Sequence, residues 1–402
     1  MANTNLTISQ ITREQLMVIE NNLTFAKGVN REYDDKFGIE GAKIGDTLNI
    51  RKPARYVGRT GAALSVEDHT ETSVPLVLDT QFGVDVSFTS KEMALSIDDF
   101  SKRILAPAGA VVANKIDSMG LALYKNVFSA VGTPGTIPSA LKTYLLAGAK
   151  MDDNATPRDK DRALVINPLQ QVEIVDSLKG IFQSSEKIAD QYETGNMGMA
   201  AGFKWSMDQN VPIHQVGPLG GTPLVNGASQ VGASLVSDGW TAAAAARLVK
   251  GDIFTIAGVF QVNPQSRMST GQLQQFVVTA DVSSNGSGQA TIPIYPSIVT
   301  SGAFQTVTGS PADNAPITVL GAAGTLSPTA LAYHKNAFAL GCADLPLPGG
   351  VDKASRVSDK KLGLSIRMIR QYDINTDKFP CRLDILFGYV ALYPELACRV
   401  QG

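Results

Sequence analysis

Between Thr7 and Phe25 the apolar residues fall at Ile8, Ile11, Leu16, Ile19 and Leu23, a spacing that approximates one face of a helix. Thr7 or Ser9 is placed to cap it and Gly28 to end it. A highly charged stretch, Arg31 to Phe37, follows; a short amphipathic arm this early suits docking on a neighbour. The pattern then changes to period two. Asp46 to Pro53 alternates and stops at proline, and Val74, Leu76, Leu78, Phe82, Val84, Val86 and Phe88 alternate again. Arg55 to Thr72 between them reads as polar, with Gly58 and Gly61 and no core pattern. Two strands flanking a polar tip predict a long β-loop, which lacks a core of its own and so calls for a function or a partner surface.

Helical spacing returns next. Ser96 or Asp98 caps a short helix to about Leu105, and Pro107 suits the first turn of a second. From Pro107 to Phe128 the stripe Val111, Val112, Ile116, Met119, Leu123 and Val127 predicts one helix about 33 Å long. Gly132, Pro134 and Gly135 stop it. Ile137 to Ile213 reads as mixed α/β: helices over Leu141–Met151 and Leu169–Leu178, a buried strand Ala163–Ile166, a Gly- and Met-rich run Gly195–Gly202, and strand pattern over Phe203–Ile213. The composition then shifts. Val216 to Thr325 holds seven charged residues in 110 positions, Asp238, Arg247, Lys250, Asp252, Arg267, Asp281 and Asp313, and the rest is rich in Gly, Ser, Thr, Ala, Val and Gln. Short strand candidates recur there at Leu224–Val225, Ser234–Val236, Phe254–Ala257, Phe276–Val282, Thr291–Tyr295 and Ile317–Leu320, with Asn285-Gly286 as a hairpin signal. This predicts a small inserted β-domain. Phe338–Cys342, Leu362–Ile374 and Cys381–Tyr393 are the strands left to finish a sheet begun earlier.

Composition bounds the function. With 402 residues, 44% hydrophobic and 18% charged, the chain is globular and long enough for two or three domains. A net charge of −2 argues against a chain built mainly to neutralise DNA phosphates. No apolar run approaches a membrane span of about 18 residues, and the first residues lack a signal-peptide core. Cys342, Cys381 and Cys398 read as free thiols in a reducing compartment. His69, His214 and His334 have no metal-ligand spacing. There is neither a phosphate loop nor a nucleophile elbow. Asp152, Asp153, Asp159 and Asp161 lack a calcium-loop spacing, Asp98–Asp99 complements a helix start, Met197 and Met199 read as packing or a flexible loop, and His214 reads as a structural histidine or a turn donor. No cofactor or metal is implied, and the expectation is a protein that is not an enzyme but is built for contacts with other chains.

Several segments together resemble one family. Gly45 to Pro53 resembles the entry to an extended E-loop, Ser96–Phe100 through Lys115–Asp117 a spine-helix region, and Gly202-Phe203, Ser206 and Val211-Pro212 an A-domain segment. Lys250 to Val259 resembles the core strand of an inserted domain, Ala332 to Leu340 with Leu345 to Pro348 the return strand, and Ile366–Asp373 with Arg382–Tyr389 a closing hairpin. In this order they resemble the major capsid proteins of tailed bacteriophages with the Hong Kong 97-type fold, in the P22-like branch. The resemblance implies an α+β fold with a Hong Kong 97-type core and an inserted all-β barrel domain. Its parts are an N-terminal arm (1–44), an E-loop (45–88), P-domain helices including a long spine helix (89–132), an A-domain (133–215), the inserted barrel (216–325), and the A-domain return with closing P-domain strands (326–402).

It further implies a coat protein that assembles with a scaffolding protein into an icosahedral shell of hexamers and pentamers. A portal protein and packaged double-stranded DNA, touched non-specifically, are the other partners, and no membrane is involved. Assembly would take place in the host bacterial cytoplasm and end in the virion capsid. Candidate intersubunit contacts are Arg51, Arg55, Arg59 and Glu67 in the loop and Glu14 and Glu20 on the arm. An encapsulin-like shell of a bacterial compartment or a secreted surface-array protein is the alternative reading; the inserted β-domain argues for the phage branch, and a surface-array protein would need a secretion signal.

Overall fold

A computed structural model describes residues 8–31, 47–64, 66–68, 71–89, 106–178, 198–359 and 363–402. The expected caps at Thr7 and at Ser96 or Asp98, the helix to Leu105, the Asp98–Asp99 pair, His69 and Met197 lie outside these residues. The chain divides into two compact units, Met1–Arg51 with Ser73–Gly120 and Phe338–Leu392, and Lys52–Thr72 with Leu121–Ala337 and Tyr393–Gly402.

In chain order the described elements are α1 (Ile8–Asn22), β1 (Thr47–Lys52), β2 (Thr72–Val77), β3 (Thr80–Thr89), α2 (Ala106–Leu121), β4 (Ala130–Gly132), α3 (Leu141–Asp153), β5 (Arg162–Ile166), α4 (Pro168–Leu178), β6 (Met199–Ala200), β7 (Phe203–Met207) and β8 (Ile213–Gln215). The charge-poor stretch gives β9 (Gly221–Val225), β10 (Gly232–Trp240), β11 (Ala245–Leu248), β12 (Ile253–Val262), β13 (Ser269–Val278), β14 (Val282–Ser284), β15 (Ala290–Ile298) and β16 (Ile317–Val319). Then come β17 (Leu326–His334), β18 (Phe338–Ala343), β19 (Lys353–Asp359), β20 (Leu364–Arg370), β21 (Lys378–Ala391) and β22 (Ala397–Gln401). The architecture is mixed α+β.

In the first unit β1 pairs with β2, and β21 is the spine of a five-stranded sheet. Leu386 and Phe387 pair with both β3 and β18, so those two strands lie on opposite edges of β21. β20 pairs with β21 over Cys381 to Ile385, and β19 completes the sheet. The α1 face buries Leu16 and Ile19, as the spacing predicts, but it also buries Thr12 and Gln15. After the helix, Asp117 of α2 accepts the N–H groups of Thr24 (2.6 Å) and Ala26 (2.9 Å), satisfying donors that the chain turn would strand. Between them Phe25 packs on Phe338 and Tyr389, ring centroids 5.6 and 6.2 Å away. This needs Gly120, where a Cβ would lie 2.5 Å from the Phe25 ring. The expected single helix to Phe128 is a correction: α2 ends at Leu121 and tightens into a 3₁₀ turn over Ala122–Asn126. Gly120, one residue from that end, is the weak helix former in the stripe.

In the second unit one sheet runs β4-β22-β17-β5-β7-β6, with β8 also on β17. Tyr144, Ala147 and Met151 of α3 and Ile174 of α4 cover its core residues Leu164, Phe203, Trp205 and Val400. The charge-poor stretch forms a six-stranded sheet, β16-β12-β13-β15-β10-β9, around Leu235, Trp240, Phe254, Phe276, Ile292 and Ile294. Its end strands meet: Val225 N–H donates to Ala315 O and Asn314 N–H to Val225 O, both near 3 Å. Asn285-Gly286 does not close a two-residue hairpin. Asn285 Oδ1 accepts the N–H groups of Ser287 and Gln289 in a longer loop, and β14 pairs with β11.

A buried polar cluster joins this stretch to the rest of the unit. His214 Nε2 lies 2.9 Å from Asp252 Oδ1, and His214 Nδ1 lies 3.1 Å from the Tyr124 hydroxyl. Asp252 also accepts the N–H groups of Gly217 (3.1 Å) and Val249 (2.9 Å). Arg399 of β22 donates to Gly251 O at 2.7 Å and stacks over Tyr124. His214 is thus a buried structural histidine, as its sequence context predicts.

Candidate intersubunit contact site

The β-loop divides into a held root and a bare tip. At the root, the Lys52 ammonium sits 4.8 Å from the Tyr393 ring centroid. Burial pushes its pKa down and Arg55 adds to that, while Glu395 opposes. Arg55 Nη2 donates to Glu395 Oε1 at 2.7 Å, and its guanidinium lies over Phe304. Tyr295 donates to the other carboxylate oxygen of Glu395 at 3.3 Å. Burial first, and the Glu395 charge second, raise the Tyr295 phenol well above its ordinary range. Arg267 donates to the carbonyl of Tyr56.

Beyond Tyr56 the loop is folded by its own residues. Glu67 accepts the N–H groups of Val57 (2.7 Å) and Gly58 (2.6 Å), and Arg59 donates to Gly61 O. Gly58 and Gly61 have φ of +78° and +101°, which only glycine adopts freely. The tip is not wholly polar, as its sequence suggests: Leu64 and Val66 are 82% and 81% exposed, and Tyr56 and Val57 are also exposed.

Of the six predicted residues, Arg55, Arg59 and Glu67 lie in this loop, and Arg51 lies on the exposed side of β1. Glu14 and Glu20 lie half-buried on α1. Arg55 bonds Glu395, Arg59 a carbonyl and Glu67 backbone N–H groups, all within the chain. Glu395, Tyr393, Tyr295 and Arg267 were not singled out in the sequence. Each is more than 200 positions from Lys52, Arg55 and Tyr56, and no local pattern links them.

Elsewhere one charged cluster fastens backbone. Arg162 donates to Pro157 O, Thr156 O and Asp152. At Asp152 burial opposes ionisation, but hydrogen bonds from Arg158 and Arg162 outweigh it and hold the carboxyl below its usual range. Among the described residues no three His, Cys, Asp or Glu side chains converge as a metal site, and no helix is long and apolar enough to cross a membrane.

The family model described as P22 coat protein, gene protein 5, matches residues 1–401. The chain belongs to the P22 coat protein family. It is a major capsid protein, and copies of it build the phage shell. No curated protein sequence matches it. Among solved structures, a chain of Mycobacterium phage Che8 is 12% identical, with 94% of this chain and 90% of that one covered at a TM-score of 0.45. The capsid of Ralstonia phage GP4 is 9% identical, with 89% and 84% covered at 0.46. The CUS-3 coat protein I-domain is 24% identical over 25% of this chain and 96% of its own, at 0.19. The assignment rests on the family match.

Proposed function

We propose that this coat protein has the Hong Kong 97-type arrangement of N-terminal arm, E-loop, P-domain and A-domain, with residues 216–325 as an inserted barrel. The hydrogen bonds joining β9 to the β16 end of the six-stranded sheet support the barrel. The protein assembles with a scaffolding protein in the host cytoplasm, incorporates a portal protein, and encloses double-stranded DNA through non-specific phosphate contacts. It has no catalytic role. The loop tip lies on a neighbouring copy, and Arg51, Arg55, Arg59, Glu67, Glu14 and Glu20 are candidate contributors to such contacts.

The observation that carries the contact reading is the exposure of Leu64 and Val66 at the tip of a loop with no core. Burying both against a neighbour would contribute roughly 1.5–3 kcal/mol per side chain at each repeat of the contact. The test is Leu64→Asp with Val66→Asp, scored by negative-stain microscopy of protein expressed with and without its scaffold. Loss of closed shells with an intact soluble subunit is expected. Shells of normal yield and closure would refute the tip contact.

A further inference from the structure

The loop that reaches for a neighbour is held by its own chain first. Tyr393 and Glu395, two residues apart on the turn before β22, take alternate groups from the loop root: the Lys52 ammonium on the ring and the Arg55 guanidinium on the carboxylate. Glu395 is fixed from below. Its other oxygen takes the Tyr295 hydroxyl, and Tyr295 packs against Phe128, ring centroids 5.9 Å apart, beside the buried Ile253 and Val277. Pro394, buried, sets the backbone of that turn. From the other side Arg267 holds the Tyr56 carbonyl, and its guanidinium also reaches the carbonyls of Gly302 and Ala303. Three loop residues, Lys52, Arg55 and Tyr56, are thereby tied down, and every described residue from Val57 to Leu64 is exposed.

We propose that Glu395 is a positioning residue, the centre of an intrachain latch that sets the direction of the loop in the free subunit before any neighbour arrives. A loop ordered in advance loses less conformational freedom on docking, and so docks faster and more tightly than a free one. The latch accounts for an otherwise odd arrangement, in which a cation suited to reaching across an interface is satisfied inside its own chain. It rests on the reading of the loop tip as an intersubunit contact, and the experiment separates the two.

The test is hydrogen exchange of the full-length soluble subunit, comparing the peptide spanning residues 52–57 with that spanning 59–64, in Arg55→Met, Glu395→Gln and the double variant. Assembly with scaffold is timed by light scattering. Each single variant is expected to speed exchange of the root peptide about tenfold, to leave the tip peptide unchanged, and to lengthen the assembly lag. The double variant is expected to be no worse than either single one, since both remove the same interaction. Unchanged root exchange, or additive effects in the double variant, overturns the latch. Faster root exchange with an unchanged lag overturns its positioning role. Normal assembly of the Leu64→Asp, Val66→Asp variant refutes the contact reading instead, whatever the root peptide does.

Discussion

Asp252→Ala attacks the junction between the charge-poor β-stretch and the α/β sheet of the same unit. The Asp252 carboxylate is 1% exposed and serves three donors: His214 Nε2 at 2.9 Å, Gly217 N–H at 3.1 Å and Val249 N–H at 2.9 Å. Alanine strands all three. A buried unsatisfied donor costs about 1–3 kcal/mol, so even the lower bound summed over three gives a loss of about 3 kcal/mol. The protein carries its own reporters for where that loss falls. It has two tryptophans. Trp205 packs on Tyr144 in the α/β sheet, while Trp240 is in the core of the β-stretch and donates to Ser237 Oγ. Trp205→Phe and Trp240→Phe therefore leave single fluorescent probes of the two sides. In the otherwise wild-type chain both probes should report one urea midpoint, because the polar cluster and the Phe128–Ala130–Ile253–Val277 contact join the two sides. With Asp252→Ala the two midpoints should separate, and at least one should fall by roughly 1 M, taking an m-value near the top of the ~1–3 kcal/mol per M range. Coincident midpoints shifted by less than about 0.2 M would show that the cluster carries no load, and the bound on stranded donors would not apply here.

Gly120→Ala sets two effects against each other. Helix propensity alone would add about 1 kcal/mol of stability, but the new Cβ lies 2.5 Å from the Phe25 ring and 3.0 Å from Tyr389, and overpacking costs about 1–3 kcal/mol. Net destabilisation in a thermal melt is expected, and a rise in melting temperature would refute the packing argument. Burial pushes the Cys381 thiol up to about 11 and the Cys398 thiol up to about 12. A thiol reagent at pH 8 should leave both unmodified in the native subunit and label them on denaturation; rapid native labelling would contradict that burial. The Asp152 carboxyl is depressed, so its contribution is fully present above the unfolded value of 3.8 and is lost as pH falls through the lower folded value. Asp152→Asn should therefore destabilise the subunit at pH 7 and make progressively less difference below pH 3.8; a pH-independent difference would argue against the ionised pair.

Periodic segments were legible because burial acts on side chains one face at a time. The α1 face, the helices near 141–153 and 168–178, and the strand at Arg162–Ile166 all follow from apolar spacing. The density of strands in Val216–Thr325 was legible as composition. β17 and β22 pair with each other at the centre of the second unit's sheet, yet neither stands out by periodicity, because Thr329–His334 and Ala397–Gln401 are buried on both faces and show no alternation. The stripe from Val111 to Val127 overran the helix, since the 3₁₀ turn after Leu121 keeps roughly the same apolar spacing. For the β-loop the alternation and its polar middle are readable in the sequence, but its anchor is not. By sequence Arg55 is a cation with no partner nearby, and only tertiary folding brings Glu395 to it.

The scarcity of charge between Val216 and Thr325 has a physical logic that the hydrogen bonds expose. Of its seven charged residues, five bond main-chain groups of loops. Arg247 donates to the carbonyls of Leu219 and Thr241, and Asp252 accepts from Gly217 and Val249. Arg267 reaches the carbonyl of Gly302, Asp281 accepts the Lys250 N–H, and Asp313 accepts the Gly227 N–H. A stretch of many short strands has many turns, and each turn leaves backbone donors or acceptors that strand pairing does not reach. A charged side chain bonds such a group more strongly than a neutral one. Charges kept in this segment are therefore fasteners. Replacing one should loosen a specific loop before it alters any contact with another copy. An ionic contact from this segment to a neighbouring subunit then falls to Asp238 or the Lys250 ammonium, unless a loop is given up to make it.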